Sequence, residues 1–71
     1  MAFSKDAFAA RLRGKRAELD LTQDELADRV GVSQSAIYQW EDGGATPTAQ
    51  NIYSLAKALG CDPNFLIGWY S

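Results

Sequence analysis

The 71-residue sequence contains no histidine and a single cysteine, Cys61. These shortages exclude zinc fingers, histidine-based acid–base triads and any disulfide within the chain. No uninterrupted apolar stretch approaches the roughly 18 residues that a membrane helix needs, and the N-terminus lacks the pattern of a signal peptide. We therefore expect a cytoplasmic protein without a membrane partner, a bound metal or a cofactor, and not an enzyme.

Basic residues are also scarce. Seven lysines and arginines stand against nine acidic residues, which gives a net charge of -2 and a pI of about 4.8. Nucleic-acid-binding proteins normally carry a basic surplus, because neutralising phosphates supplies much of their affinity. The charge is unevenly distributed, however: residues 1–21 hold five basic and three acidic side chains, whereas residues 22–42 hold one and five. The positive charge is concentrated at the front of the chain.

Length and patterning predict one all-α domain over residues 1–71. The sequence is 46% hydrophobic and 23% charged, which is typical of a small globular domain. Apolar residues recur at helical spacing and no segment favours a strand. Five helix starts are predicted from capping residues or proline: Ser4, Thr22, Ser33, Pro47-Thr48 and Asp62-Pro63. Glycine at position 14 weakens the middle of the first helix.

Residues 22–42 have the pattern of two helices joined by a tight turn. Ala27 is small enough for a close helix crossing, and Gly31 tolerates the positive φ that a sharp reversal requires. Apolar residues fasten the second of these helices inward: Leu26, Val30, Val32, Ile37 and Trp40. Six polar residues then point away from the core: Ser33, Gln34, Ser35, Tyr38, Gln39 and Asp42. A nine-residue helix is about 13 Å long, which suffices to present three or four side chains to a major groove.

This pattern resembles the lambda-repressor-like, Cro-type helix-turn-helix family over roughly residues 8–68. The resembling residues are Arg16, Leu21-Thr22-Gln23, Glu25-Leu26-Ala27, Val30-Gly31-Val32-Ser33, Ser35, Ile37, Trp40-Glu41, Gly43, Pro47, Ile52, Leu55-Ala56, Ala58-Leu59-Gly60 and Phe65-Leu66. The resemblance implies a five-helix domain, with a helix-turn-helix at helices two and three, that binds double-stranded DNA sequence-specifically. It further implies a repressor-type regulator, encoded by a prokaryote or phage and associated with the nucleoid, acting as a homodimer on a pseudo-palindromic site.

The resemblance also assigns roles to individual residues. The implied base-reading residues are Gln34, Ser35, Tyr38 and Gln39. The implied phosphate contacts are Gln23, Ser33, Gly43 and Gly44. Arg16 and Glu41 match a structural pair that ties the first helix to the third. In one respect the sequence departs from the family, because the loop at residues 42–46 carries no basic residue where family loops often do.

Two questions stay open from the sequence: the role of the basic cluster near the N-terminus, and whether the fold binds DNA or another protein. The basic cluster at residues 11–16 is either a solvated face or a phosphate contact through Arg11, Arg13 or Lys15.

The homodimer is expected to form through the C-terminal helix region, with three aromatic residues: Phe65, Trp69 and Tyr70. The alternative function is a protein-interaction or antitoxin-like module that reuses the fold, which the acidic middle segment and the aromatic C-terminus would suit. Cys61 is expected to pack in the core.

Overall fold

The computed structural model describes residues 4–68, which form five α-helices and no strand. The helices are α1 (Lys5–Glu18), α2 (Gln23–Val30), α3 (Gln34–Asp42), α4 (Ala49–Leu59) and α5 (Pro63–Ile67). This confirms the all-α, five-helix prediction. Trp69 and Tyr70, to which the sequence assigns part of a dimer interface, lie outside the described residues. No helix within residues 4–68 has both the length and the apolar character needed to cross a membrane.

Each helix begins at a side chain that caps it. The cap hydroxyl or carboxylate accepts a hydrogen bond from a backbone N–H in the first turn, and the caps are Ser4, Thr22, Ser33, Thr48 and Asp62. At α2 the cap is reciprocal: the Glu25 N–H donates to Thr22 Oγ1 at 3.0 Å, and the Thr22 N–H donates to Glu25 Oε1 at 2.8 Å. Such contacts satisfy N–H groups that a helix leaves unpaired at its start.

Gly31 makes the turn between α2 and α3. Its backbone is left-handed, with φ of 85°, a conformation that costs other residues about 1–2 kcal/mol. The N–H groups of Gly31 and Val32 both donate to the carbonyl of Ala27, at 2.8 and 3.0 Å, which ends α2. Ala27 is itself buried. Three residues therefore separate the end of α2 from the start of α3, and the left-handed glycine stands at the tight turn where the sequence predicts it.

All five helices contribute to a single core. The fully buried side chains are Phe8, Leu12, Leu26, Ile37, Leu55 and Leu66. α3 packs against both α1 and α2, and its inward residues are Ile37, which is 0% exposed, and Trp40, which is 6% exposed. Burying a side chain of this size stabilises the fold by about 1.5–3 kcal/mol. α3 is thus held on its inner side, which decides which of its side chains face outward.

Candidate nucleic-acid interface

The outer face of α3 is formed by polar, uncharged side chains. Gln34, Ser35, Tyr38 and Gln39 are all exposed. Because they occupy positions one, two, five and six of the helix, they share one side of it, opposite Ile37 and Trp40. The structure therefore brings together the four residues to which the resemblance assigns base reading. The groups they offer are two amides, an aliphatic hydroxyl and a phenol, which both donate and accept hydrogen bonds.

An ion pair lies beneath this face. Arg16 Nε donates to Glu41 Oε2 at 2.6 Å, and Arg16 Nη2 donates to Glu41 Oε1 at 3.0 Å. A third bond runs from Arg16 Nη1 to the carbonyl of Leu21 at 2.8 Å. Glu41 is only 4% exposed. Its hydrogen bond raises the pKa of Arg16 above the ordinary arginine value, so the guanidinium stays charged. The pair joins α1 to α3, as the resemblance implies.

Two glutamine side chains extend this pair to the surface. Gln23, the first residue of α2, donates from Nε2 to Glu41 Oε1 at 3.1 Å. Gln34, the first residue of α3, donates from Nε2 to Gln23 Oε1 at 2.5 Å. Hydrogen bonds thus run continuously from the buried carboxylate to the exposed face. From the sequence the two glutamines are expected to make separate contacts, since no spacing along the chain indicates that their side chains meet.

Ser33 lies at the N-terminal end of the same face. Its Oγ accepts a hydrogen bond from the Ala36 N–H at 3.1 Å, and the residue is exposed. A hydroxyl that accepts one bond still carries a proton to donate. Ser33 can therefore cap α3 and donate to an external acceptor at the same time.

The Gly43-Gly44 turn ends α3. The N–H groups of both glycines donate to the carbonyl of Gln39, and Gly43 is left-handed with φ of 81°. The Asp6 carboxylate lies beside the turn, since a Cβ added at Gly43 would be 3.3 Å from Asp6 Oδ1. A phosphate contact by these two N–H groups stays a prediction, and it would require them to share hydrogens already donated to Gln39.

Arg13 adjoins the α3 face. Its Nη1 donates to the backbone carbonyl of Glu41, near the C-terminal end of α3. Arg13 also lines an open cleft of about 250 Å³, whose other lining residues are Gln23, Tyr38, Glu41 and Asp42. One N–H of the guanidinium is used, and a guanidinium has five. Arg13 therefore holds a charged, anchored donor beside the exposed face of α3.

The other two basic candidates face α5 instead. The Lys15 ammonium lies 5.2 Å from the centroid of the Phe65 ring and 3.5 Å from a Glu18 carboxylate oxygen. Arg11 packs against Gly68, where an added Cβ would lie 2.7 Å from Nη1. Among the three residues in which the sequence suggests phosphate contact, Arg13 is thus the one beside α3.

Phe65 and Cys61 are partly buried and pack on the core cluster. The packing of Cys61 agrees with the sequence prediction, although its thiol keeps some exposure. Burial raises the pKa of that thiol, which lowers the thiolate fraction at neutral pH. Phe65 thus packs against the core and faces the Lys15 ammonium within its own chain.

Comparison with known proteins identifies the family. The helix-turn-helix family model matches residues 12–66. Repressor protein C2 of Salmonella phage P22 is 42% identical over 57 residues, which cover 80% of this chain and 26% of that protein. The HTH-type transcriptional regulator DicA of Escherichia coli is 37% identical over 57 residues, covering 80% of this chain and 42% of that protein. The chain thus spans less than half the length of these two relatives.

A solved structure agrees over nearly the whole chain. The crystal structure of the P22 c2 repressor protein in complex with synthetic operator 9T matches with a TM-score of 0.82 and 40% sequence identity. The match covers 84% of this chain and 91% of that chain. Fold, sequence similarity and family model agree, so the resemblance inferred from the sequence is confirmed: the chain belongs to the helix-turn-helix family.

Proposed function

We propose that this chain binds double-stranded DNA sequence-specifically through the outer face of α3 and acts as a transcriptional repressor. The observation that carries the proposal is the anchoring of α3: Ile37 and Trp40 hold its inner side, while four uncharged polar side chains stand exposed opposite. The proposal is supported by two of the similar proteins, which are named as a phage repressor and a transcriptional regulator. The operator DNA bound by the similar P22 repressor supports it as well.

The dimensions and chemistry of α3 suit a major groove. The groove is about 12 Å wide and admits one α-helix. Gln34 and Gln39 each offer an amide that can donate to adenine N7 and accept from its exocyclic amine, while Ser35 can bond to several bases. Tyr38, 54% exposed, can contact a thymine methyl group or a phosphate. These groups discriminate between bases without contributing charge.

Phosphate contacts would come from the ends and the flank of this face. We assign them to Gln23, the first residue of α2, to Ser33, the N-cap of α3, and to Arg13 beside the cleft. Because Arg13 is the one cation among these three residues, the affinity should depend only modestly on salt, with about one phosphate neutralised per monomer by these contacts. The Asp6 carboxylate beside Gly43 makes the loop after α3 a poorer phosphate contact than a basic loop would be.

The repressor would act as a homodimer. Two copies of α3 about 34 Å apart would read the two halves of a pseudo-palindromic site. In a prokaryotic cell, whether the protein is encoded by the host or by a phage, this DNA belongs to the nucleoid. The C-terminal region is the proposed contact, through Phe65 together with Trp69 and Tyr70. A protein of this kind works by binding and not by catalysis.

A second candidate function is binding to another protein. It is favoured by the carboxylates near the end of α3, since Asp6 lies beside Gly43 and Asp42 lies 3.7 Å from a Cβ added at Gly44. These charges would repel a DNA backbone and attract a basic partner. An antitoxin-like module would use the fold in this way.

Selection of bound duplexes from a random-sequence DNA library distinguishes the two functions. We expect enrichment of one sequence with two half-sites about one helical turn apart. Gln34→Ala should lose about 1–3 kcal/mol of discrimination at one base pair while leaving the melting temperature nearly unchanged, because the side chain is exposed. Gln50→Ala, which removes an exposed amide from α4, is the matched control and should leave base preference unchanged. A library from which no sequence is enriched at low salt would contradict sequence-specific DNA binding.

A further inference from the structure

We propose that the turn that ends α1 docks into the groove between α2 and α4 of a second copy of this chain. This turn, Glu18-Leu19-Asp20, is called the knob. The contact goes beyond the proposed DNA binding, and it uses surfaces other than the C-terminal region proposed for the homodimer.

The groove lies between the C-terminal end of α2 and the second half of α4. It is open, with a volume of about 420 Å³, and its lining residues are Arg29, Val30, Ser54, Lys57 and Ala58. Val30 and Ala58 are partly buried and pack on the core, so the floor of the groove is apolar. Arg29 and Lys57 are exposed, and neither forms an ion pair with another residue of the described range. The groove therefore combines an apolar floor with two unpaired cations.

The knob has the complementary chemistry. Leu19 is 45% exposed, and the other two large apolar side chains exposed within residues 4–68 are tyrosines, which carry a polar hydroxyl. Leu19 stands between two exposed carboxylates, those of Glu18 and Asp20. Glu18 lies 3.5 Å from the Lys15 ammonium, but a pair this exposed contributes little and is easily exchanged for another. The knob thus offers an apolar side chain between two acidic ones.

Backbone hydrogen bonds hold the knob in shape. The Asp20 N–H donates to the Ala17 carbonyl at 3.0 Å, and the Leu21 N–H donates to the Arg16 carbonyl at 3.1 Å. Asp20 has a left-handed backbone, with φ of 56°, and Leu21 after it is buried. One leucine therefore anchors the turn in the core while Leu19 stands outside. A group that is already ordered loses little conformational freedom when it docks.

The knob of one chain does not fill its own groove. Leu19 is not among the lining residues. The knob precedes α2, whereas Arg29 and Val30 are the last two residues of that eight-residue helix, so a helix about 12 Å long lies between them. A second copy can supply the knob instead. Because two different surfaces meet, the copies associate head to tail.

In this contact Leu19 covers the apolar floor, and the two knob carboxylates face the Arg29 guanidinium and the Lys57 ammonium. Covering the floor removes apolar surface from water on both copies. The opposite charges fix the orientation of the knob and favour the encounter of the two surfaces. A contact that buries less than about 1,200 Å² is weak and transient, so the association should be seen only at high protein concentration.

The first test follows the backbone amide signals of the ¹⁵N-labelled chain by NMR from micromolar to millimolar concentration, without DNA. We expect the signals of Leu19 and Asp20 to shift together with those of Val30 and Ala58, along a single binding curve. Dimerisation through Phe65 would shift the signals of α5 and is followed separately. Knob and groove signals that stay constant up to millimolar concentration would overturn the proposal, whatever the protein binds.

The second test separates the two sides of the contact. Leu19→Ser removes the apolar side chain of the knob, and Lys57→Glu reverses one charge of the groove. Both residues are exposed, so the melting temperatures should stay nearly unchanged. Each variant alone should associate about ten-fold more weakly than the unsubstituted chain. Lys5→Glu, which makes the same charge change at an exposed residue of α1, is the matched control and should associate normally.

Mixing the two variants should restore the contact, because Leu19→Ser keeps an intact groove and Lys57→Glu keeps an intact knob. When unlabelled Lys57→Glu is added to ¹⁵N-labelled Leu19→Ser, the signals of Val30 and Ala58 should shift as they do in the unsubstituted chain. A mixture that shows no such shift would overturn the head-to-tail contact. A loss in Lys5→Glu as large as that in Lys57→Glu would reduce the effect to net charge and would also overturn it.

Discussion

Replacing Arg16 with methionine is expected to destabilise the fold strongly. Methionine keeps an unbranched apolar chain at this position but removes the guanidinium. Glu41 then loses both hydrogen bonds from Arg16, of 2.6 and 3.0 Å, and keeps the one from Gln23. The carbonyl of Leu21 loses its bond from Nη1 as well. A buried negative charge is left without its counter-ion.

The magnitude follows from the burial of the two partners. Breaking a buried ion pair by removing one member costs about 3–5 kcal/mol. The Arg16 side chain is 22% exposed and that of Glu41 is 4% exposed, so water can partly replace the guanidinium and the lower end, about 3 kcal/mol, is expected. A domain of this length has a free energy of unfolding of roughly 4–11 kcal/mol. The substitution would therefore remove a quarter or more of the total and lower the melting temperature by about 12–24 °C.

The assay is urea and thermal unfolding at pH 7, followed by far-ultraviolet circular dichroism. The double variant Arg16→Met/Glu41→Leu is the decisive partner, because it removes both charges and strands neither. Apolar replacement of a whole buried pair is often close to neutral, so the double variant should be more stable than Arg16→Met. A loss below about 1 kcal/mol in Arg16→Met, or a double variant no more stable than the single, would refute the reasoning.

Three further predictions concern backbone, pH and salt. Gly31→Ala should lower the free energy of unfolding in urea by about 1–2 kcal/mol because of the left-handed backbone alone, since nothing lies within 4 Å of the added Cβ. Gly14→Ala is equally unobstructed but lies inside α1, so it should raise the free energy of unfolding by up to about 1 kcal/mol. Changes of the same sign in both variants would contradict this reasoning. Hydrogen bonds from the backbone and hydroxyl of Thr22 hold the pKa of Glu25 below its usual value. The contribution of the Glu25 carboxylate to the free energy of unfolding is therefore complete above its unfolded-state pKa and disappears as the pH falls through the lower folded-state pKa. Glu25→Gln should accordingly weaken the fall in the free energy of unfolding at acid pH. An unchanged pH dependence would exclude a stabilising role for this carboxylate. Arg13→Gln should reduce the slope of log affinity against log salt by about one, and an unchanged slope would remove Arg13 from the phosphate contacts.

Helix positions could be predicted from the sequence because the signals that set them are local. The caps at Ser4, Thr22, Ser33 and Asp62 bond to N–H groups two or three residues ahead. Such contacts depend only on the nearby chain, and they occur where the sequence predicts them. The fourth helix is the small exception: Thr48 is its cap and Ala49 its first residue, so Pro47 precedes the helix.

Helix periodicity could also separate the inner and outer sides of α3. Ile37 and Trp40, three residues apart, lie inward, so the polar residues between and before them lie outward. The weakening expected at Gly14 has no visible consequence for the bounds of α1, which runs through it. A cost of about 1 kcal/mol is small beside the burial of Phe8 and Leu12 on the same helix.

The partners of the polar side chains could not be predicted in this way. Arg11, Arg13 and Lys15 lie within five residues and look equivalent in the sequence, yet Arg13 lies beside α3 while the others face α5. Each residue advances about 100° around the helix, so which of them faces α3 depends on how α1 packs. The engagement of the Gly43 and Gly44 N–H groups by Gln39, with Asp6 alongside, likewise needed coordinates.

The sequence by itself determined the five helices, the turn at Gly31 and the exposed face of α3, since capping, periodicity and glycine conformation act over a few residues. Only the tertiary structure decided that Gln34 meets Gln23 and that Gln23 meets Glu41, across separations of 11 and 18 residues. Contacts of that range depend on the crossing of α1, α2 and α3. That crossing is set by the packing of the whole core and not by any one segment.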